Sequence, residues 1–480
     1  MPTDAPVSSG FVYENIAERI ETMIEDGVLR PGERAPSLRQ VSRKMGVSLT
    51  SVIKAYTILE GQGLLEAHPQ SGFYVRDQGR LSTPEPAACT PKLTETVVTK
   101  NRLISSFLNS IQDPENRFFA CASPDHSLLP TRELGKLVSA VGRDSMETGV
   151  EYAFAPGSEP LRREIAKRAL DTHCHIHPND LTITNGCLEA LNFCLGVVAK
   201  PGDAIAIESP TYMGVLQAIE NHNMRAVEIP VHPRTGVDLD VLEDVLKRRL
   251  VKACLFIPNF NNPLGCLMPD DHKERLANML AQYRTPLIED DIYGELSYCN
   301  PRPRPVKSYD REGWVLWCSS FSKSISPGLR VGWVASERYA ESIRNLSFMT
   351  NVAVSTIPQE VATRFLQGGG FDRHLRRLRR TLQHSACQHA DAISALFPTG
   401  TKVSRPRGGF VIWVELPREI DVLKLHQEAS AAHVGFAPGA LFTAGGDFDH
   451  HLRISSAHAW SDEVSDALER LAVLVNRAVA

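Results

Sequence analysis

The sequence predicts two unlike folds in one chain: a small, mostly α unit ending in a two-stranded wing, then a long α/β unit on a mostly parallel sheet. Three observations predict this. Apolar residues at helical spacing, punctuated by glycines, fill about the first 75 positions. Residues 77–95 are rich in Pro, Ser and Thr and have no apolar period, the composition of an extended linker. From about residue 118, strand-length apolar runs (LTIT, AIAIES, ACLFIP, PLIEDD, WVLWCSS, RVGWVA) alternate with helical stretches. At 480 residues the chain is also too long for one core. The boundaries read as 11–77 for the first unit, 78–115 for the linker and 116–480 for the second. The second divides into a large part at about 150–360 and a small C-terminal part at about 370–480.

The first unit builds in order. Residues 11–26 place Ile16, Ile20, Met23 and Ile24 on one helical face, and Gly27 stops the helix. Ser37 caps a second helix whose Leu38, Val41 and Met45 face inward. Gly46 makes the turn, and Ser48 caps a third helix through Val52, Ile53, Ala55, Tyr56 and Leu59. Two short helices across a glycine turn are a helix-turn-helix. After Gly61 and Gly63, LLEAHPQSGFYV reads as the wing, two strands around a Pro/Ser/Gly turn.

That pattern alone fits any small helical domain. More specifically, GVLRPGERAPSLRQVSRKMGVS, KAYTILEGQGLL and SGFYV, within residues 13–75, resemble the GntR family. The resemblance implies that the third helix enters a DNA major groove. It implies contacts from Arg34, Arg39, Ser48, Thr50, Ser51 and Lys54, with His68 and Gly72 in the wing. Whole-chain charge is 52 − 56 = −4, so any DNA-binding field must be local. Between residues 28 and 76, Arg30, Arg34, Arg39, Arg43, Lys44, Lys54 and Arg76 outnumber Glu33, Glu60 and Glu66, giving 7 − 3 = +4. Such cations meet phosphates, which position a domain without reading sequence. One departure stands out: where the family carries arginine after the capping serine, this chain has Leu49, which can touch a thymine methyl but cannot pair with guanine.

In the second unit, function gathers at the carboxyl ends of parallel strands. WVLWCSSFSKSISPGLRVGW places Lys323 in a loop after a strand, with Ser320 three residues before and Arg330 seven after. A lone loop lysine is ordinarily solvated. One with a lowered pKa can form a Schiff base, and serine with arginine suits a phosphate. Pyridoxal 5'-phosphate is an aldehyde cofactor that needs both. Its other needs have candidates. Asp290 or Asp291 offers a carboxylate for the ring nitrogen, and Asn262 and Tyr293 offer donors for the phenolic oxygen. Tyr212 offers a stacking ring; Gly186 and Cys187 open a helix whose free amides suit the phosphate. Arg453 offers a fork for a substrate carboxylate.

In this order and spacing the motifs resemble the fold-type I aminotransferases over residues 118–475, and their fusion to a GntR-like head resembles the MocR regulators. The resemblance implies that Lys323 is the Schiff-base lysine and that Asp290, three residues before Tyr293, partners the pyridine nitrogen. It further implies that Asn262 and Tyr293 bond the phenolic oxygen, that Tyr212 stacks, and that Gly186, Cys187, Ser320 and Arg330 hold the phosphate. Arg453 matches the carboxylate-binding arginine, and Tyr152 a tyrosine that reaches the phosphate of a partner subunit, so a homodimer with shared sites is expected. Departures are Ser123, where glycine is common, and Cys187-Leu188 in place of a polar pair.

Other candidates weigh less. His173, His175 and His177 around Cys174 would share one face of a strand, with His450 and His451 far along the chain; a surface connector is the plainer reading. LRRLRR, residues 375–380, reads as a solvated helix face. Ten cysteines without a CxxC pair point to reduced thiols in the cytoplasm. MPTDAPVSSG has no signal-peptide character, and residues 188–199 are too short and polar to span a bilayer. The expectation is a cytoplasmic regulator that binds a double-stranded DNA operator and senses an amino-acid-like or amine effector, or the cofactor itself. The sensing step would exchange the imine at Lys323. A working aminotransferase with a secondary head is the alternative; a purely structural cofactor would leave Arg453 without a task.

Overall fold

Apolar faces at helical spacing close the first of two units, Met1–Ser82, around one small core. The computed structural model describes residues 12–25, 28–30, 32–61, 64–68, 71–75, 83–114, 116–299 and 301–479. The expected helix ends at Phe11, Asp26 and Gly27, together with Gly63, Arg76 and the start of the expected linker, lie outside them. Helices α1 (Val12–Glu25), α2 (Leu38–Met45) and α3 (Leu49–Gly61) bury Ile16, Ile20, Val41, Val52, Ala55, Tyr56 and Leu59 together. The Ser37 hydroxyl accepts the Gln40 N–H at 3.3 Å, capping α2. Gly46 ends α2 at φ 65°, a left-handed turn that glycine adopts without strain. The Tyr56 hydroxyl donates to the Pro36 carbonyl at 2.5 Å, tying α3 to the start of α2. Strands β1 (Leu65–His68) and β2 (Gly72–Val75) pair antiparallel from Leu65↔Val75 to His68↔Gly72, and Leu65 and Val75 seal the core from the wing side.

The second unit, Thr83–Ala480, is built on a mixed sheet. Its main strands are β3 (Thr96–Val97), β4 (Leu181–Thr184), β5 (Ala204–Ser209), β6 (Arg225–His232), β7 (Ala253–Phe256), β8 (Leu287–Asp290), β9 (Val315–Ser320) and β10 (Gly332–Ala335). They lie in the order β3-β6-β5-β7-β8-β9-β10-β4. From β6 to β9 all pairings are parallel; β3 and β10 run against their neighbours. Both faces are buried, so the strands read as continuous apolar runs. Ala206, Val227, Cys254 and Phe256 face one cluster, while Ile205, Ile207, Ala253 and Leu255 face the other. A C-terminal antiparallel sheet of β11 (Lys402–Val403), β12 (Val411–Glu415), β13 (Ala437–Pro438) and β14 (His451–Ser455) has the order β11-β12-β14-β13 and packs helices Gly370–Leu396 and Asp462–Arg477 on Ile412, Val414, Leu452 and Ile454.

The expected linker is a correction. From Thr83 onward it belongs to the second unit: β3 extends the main sheet, and α4 (Asn101–Ser110) buries Ile104 and Phe107. Pro86, Pro91 and Val98 are buried along the way, and Arg234 and Arg225 bind Glu85 and Glu95 at 2.9 and 2.7 Å. An extended segment laid on a surface buries single residues without any period, so its composition resembled a free tether. The strand β6 was absent from the apolar runs because Glu228 and Pro230 interrupt it.

His173 sits at φ 55° in a turn, so the histidine run is no strand. Among the described residues, no group of three or more His, Cys, Asp or Glu is placed to hold a metal. Within residues 375–380, Leu375 and Leu378 are buried and Arg376, Arg377 and Arg380 are exposed, but Arg379 turns inward to Glu295 at 3.2 Å. No helix of the described residues is long and apolar enough to cross a membrane.

Candidate functional site

The parallel strands deliver their last residues to one cavity of about 290 Å³. Asp290 comes from the end of β8 and Lys323 from the loop after β9. Cys187 opens α5 (Cys187–Val198) after β4, and Tyr212 precedes α6 (Met213–Asn221) after β5. Asn262, Tyr293, Arg330 and Arg453 also line it, with Cys121, Ser123 and Ser322.

Two adjacent carboxylates competed for one role in the sequence, and their partners separate them. Asp291 is saturated: Arg302 donates at 2.6 Å, Asn259 at 2.8 Å and the Trp317 indole at 2.9 Å. Asp290 accepts only the Ile292 N–H at 3.1 Å and the Cys187 thiol at 3.3 Å, and it faces the cavity. Burial pushes its carboxyl up to about 6, against the pull of those two donors and of Lys323. A desolvated carboxylate short of partners suits a cationic ring nitrogen.

The Lys323 ammonium donates to the Ala122 carbonyl at 2.5 Å. Burial lowers its pKa to about 8, helped by the Arg453 and Arg330 charges and opposed by Asp290. Desolvation disfavours the cation, so a usable share of free amine exists near neutrality. Arg330 holds a left-handed φ of 53°, a conformation that costs a non-glycine residue about 1 kcal/mol. Bonds from its guanidinium to the Asn185 carbonyl at 2.7 Å and the Ser322 hydroxyl at 3.3 Å fix it beside the start of α5. There Gly186 lies at φ 92°, and a Cβ at that position would collide with the Arg330 guanidinium. A guanidinium, a hydroxyl and a helix N-terminus stand together, the donor set a phosphate takes.

Across the cavity, the Asn262 amide donates to the Tyr293 hydroxyl at 3.4 Å, and the Asn262 Oδ1 is buried without a partner. Burial raises both the Tyr212 and Tyr293 phenols, so each remains a neutral donor. Arg453, on β14, is 1% exposed. One terminal nitrogen donates to the Ala120 carbonyl, while its Nε and Nη1 are buried with no partner. Unpaired buried donors of this kind cost several kcal/mol unless a ligand satisfies them.

Not every expected residue meets the cavity. Ser320 is buried at the end of β9 and accepts the Ser322 N–H at 3.3 Å; of the two it is Ser322 that reaches the wall, where Ser123 also stands. Tyr152 is 72% exposed and lines a different depression beside Glu151 and Gln359. Sequence reasoning missed Phe107, Leu108 and Ile111, which line the cavity from the stretch read as a linker. Their helical spacing was the available signal.

On the first unit, the outer face of α3 carries Leu49, Thr50, Ile53 and Thr57. Ser48 caps α3 by accepting the Ser51 N–H at 3.1 Å. Arg39 is exposed, and Arg34 lies against Gly72 in the wing, where a Cβ would press on its guanidinium at 3.3 Å. His68 pairs with Glu66 at 2.9 Å. The Lys54 ammonium sits 3.7 Å over the Tyr13 ring, turned toward α1.

Residues 131–471 match the family of aminotransferases class I and II, and residues 12–75 match bacterial regulatory proteins of the gntR family. The uncharacterized HTH-type transcriptional regulator YdcR of Escherichia coli K12 is 36% identical, covering 96% of this chain and 98% of its own length. YjiR, an uncharacterized HTH-type regulator of the same organism, is 34% identical across 97% of this chain and 99% of its own. Among solved structures, the α-aminoadipate aminotransferase LysN of Thermus thermophilus, complexed with N-(5'-phosphopyridoxyl)-L-leucine, superimposes with a TM-score of 0.73 at 28% identity, covering 78% of this chain and 95% of LysN. The Pyrococcus horikoshii kynurenine aminotransferase, in complex with PMP, gives 0.73 at 27%, covering 79% and 95%.

Proposed function

Because the chain belongs to the aminotransferase class I and II family and carries a GntR-family head on the pattern of full-length HTH-type regulators, we propose that an amino compound bound in its cavity controls how the head engages DNA. The chain is a DNA-binding regulator with a pyridoxal-phosphate domain. The orphaned Nε and Nη1 of Arg453 carry the sensing reading, because a cofactor bound at Lys323 leaves that guanidinium still asking for a carboxylate.

The cofactor, when bound, supplies an aldehyde carbon that a primary amine can capture. The residues have distinct tasks toward it. Lys323 presents an amine, and Asp290 places a negative charge for the ring nitrogen. Tyr212 offers its ring face, and Asn262 and Tyr293 present donors to the phenolic oxygen. Arg330, Ser322 and the amides of Gly186 and Cys187 hold the phosphate, with Ser320 supporting Ser322 from behind. Arg453 would orient the effector by its carboxylate, with the effector's amine toward Lys323. Tyr152, exposed in the single chain, is assigned to a partner subunit's site in a homodimer. The cytoplasm, where thiols stay reduced, suits the ten free cysteines.

On DNA, α3 enters the major groove, with Thr50, Ser48 and Ser51 at its N-terminal end. Arg34, Arg39, Lys54, His68 and Gly72 flank it, meeting phosphates or the adjoining groove.

The test is reciprocity. Operator affinity measured with and without amino compounds should change, and DNA should change effector affinity by the same factor. Operator binding indifferent to every amino compound would sink the sensing reading. The lowered Lys323 pKa and intact polar set favour one alternative, a working aminotransferase; steady turnover with a keto acid beside indifferent DNA binding would select it.

A further inference from the structure

Two thiols stand on the cavity wall, and their surroundings differ. The Cys187 sulfur is buried and donates to Asp290 at 3.3 Å. Burial and that carboxylate push its pKa well up, so it keeps its proton. Cys121 is half-buried, and each of its neighbours in the chain holds a cation. The carbonyl before it, on Ala120, accepts from Arg453, and the carbonyl after it, on Ala122, accepts from the Lys323 ammonium at 2.5 Å. Burial lowers the pKa of both cations. The Cys121 sulfur is among the groups that pull each back up, which puts it within electrostatic reach of both.

Six of the ten cysteines are buried, and of the four half-buried ones Cys121 lines the cavity. A peroxide-sized molecule reaches it by the path an amino acid takes, with or without a partner subunit. Where thiols otherwise stay reduced, oxidation of an accessible one is a chemical signal. The neighbouring guanidinium decides what that oxidation does. Arg453 is 1% exposed, and its Nε and Nη1 are buried with no partner. A cysteine sulfinate carries two oxygens and one negative charge, as a carboxylate does, so it suits the same donors. Tethered to the wall, it also competes with a free carboxylate at a high effective concentration.

Resting on the sensing reading above, we propose that Cys121 is an oxidation site, and that its sulfinate takes the free donors of Arg453 and closes the cavity to effector carboxylates. Hydrogen peroxide is the oxidant. The sulfur attacks one peroxide oxygen; an S–O bond forms, the O–O bond breaks, and the other oxygen leaves as water with the thiol proton. Sulfur loses two electrons and peroxide gains them, giving the sulfenic acid. A second peroxide repeats the step to the sulfinic acid, whose proton passes to bulk water.

Holoprotein would be treated with hydrogen peroxide, quenched with catalase and divided. Peptide mass spectrometry should find Cys121 heavier by two oxygens and Cys187 unchanged. The other portion would be titrated with L-alanine, L-leucine, L-glutamate and L-lysine, following cofactor absorbance and the heat of binding. Half-saturation should move upward about tenfold or more for each amino acid that the untreated protein binds. Cys121→Ser and Cys121→Ala, each compared with its own untreated sample, should show no such shift; circular dichroism checks both folds. Three results overturn the inference and leave sensing intact: oxidation of other cysteines that spares Cys121, an unshifted titration once Cys121 is oxidised, or an equal shift in wild type and both variants. Silence of the untreated protein toward all four amino acids overturns the sensing reading, and this inference falls with it.

Discussion

Asp290 and Asp291 are neighbours in the chain with disjoint partners: Asp291 meets Arg302 at 2.6 Å in a closed buried network, and Asp290 meets only the Cys187 thiol and one backbone N–H at the cavity. Removing either charge should therefore have opposite consequences. Asp291→Asn strips a buried guanidinium of its shortest partner, leaving Glu295 at 3.5 Å, and should cost about 3 kcal/mol in denaturant unfolding. Asp290→Asn should leave unfolding nearly unchanged and weaken cofactor retention by about 10- to 100-fold, the loss of a charged hydrogen bond. Equal effects of the two substitutions on both measurements would refute the division.

Lys323 sets a pH dependence of cofactor capture. With a pKa of about 8, roughly one lysine in ten is free amine at pH 7 and roughly nine in ten at pH 9. Stripped protein given fresh pyridoxal phosphate should load about tenfold faster at pH 9 than at pH 7, then level off. A rate still climbing toward pH 10.5 would mean that burial does not depress this amine. At the acid end, Asp290 gains a proton below about pH 6, so cofactor retention should weaken there. Asp290→Asn should lack that acid limb.

Arg453 should separate effector recognition from everything else. Arg453→Ala should keep the yellow cofactor and basal DNA binding while losing the response to amino acids. Arg453→Lys should not restore it, because an ammonium cannot present two parallel donors to a carboxylate. A lysine variant that responds normally would show that only charge is needed.

On the DNA side, Leu49 and Ile53 are 42% and 46% exposed and stand one turn apart on α3. Two apolar groups in a major groove favour thymine methyls. Replacing thymine by uracil at the contacted step of a selected operator should weaken binding roughly fivefold, about 1 kcal/mol for one buried methyl. Leu49→Arg should move the preference at that step toward guanine. Affinity blind to the methyl would place the reading elsewhere.

Arg39 is exposed and flanks that helix. Arg39→Ala should lower affinity evenly across sequences and reduce the slope of log K against log salt by about 0.9, one phosphate contact. A sequence-selective loss would instead make it a base contact.

The sequence by itself determined the two folds and named most of the polar residues that the structure gathers at one cavity. Helix caps such as Ser37, Gly46 and Ser48 act within three or four residues, and strand-end motifs such as the one around Lys323 put chemistry where parallel strands must end, so short-range pattern carries them. The resemblance already chose Asp290 by its spacing to Tyr293, and the tertiary structure adds that Asp291 is taken up by Arg302, Asn259 and Trp317 from other segments. Two matters only the tertiary structure decided. The serine beside Arg330 is Ser322, because the backbone turns after β9 and sets Ser320 behind it. The stretch from Thr83 to Ile111 is no tether, and its Phe107, Leu108 and Ile111 line the cavity, because it is held by partners over a hundred positions away, as the N–H groups of Lys100 and Asn101 are by Glu220. Local composition reports what a segment can do alone; burial by distant surfaces leaves no local trace.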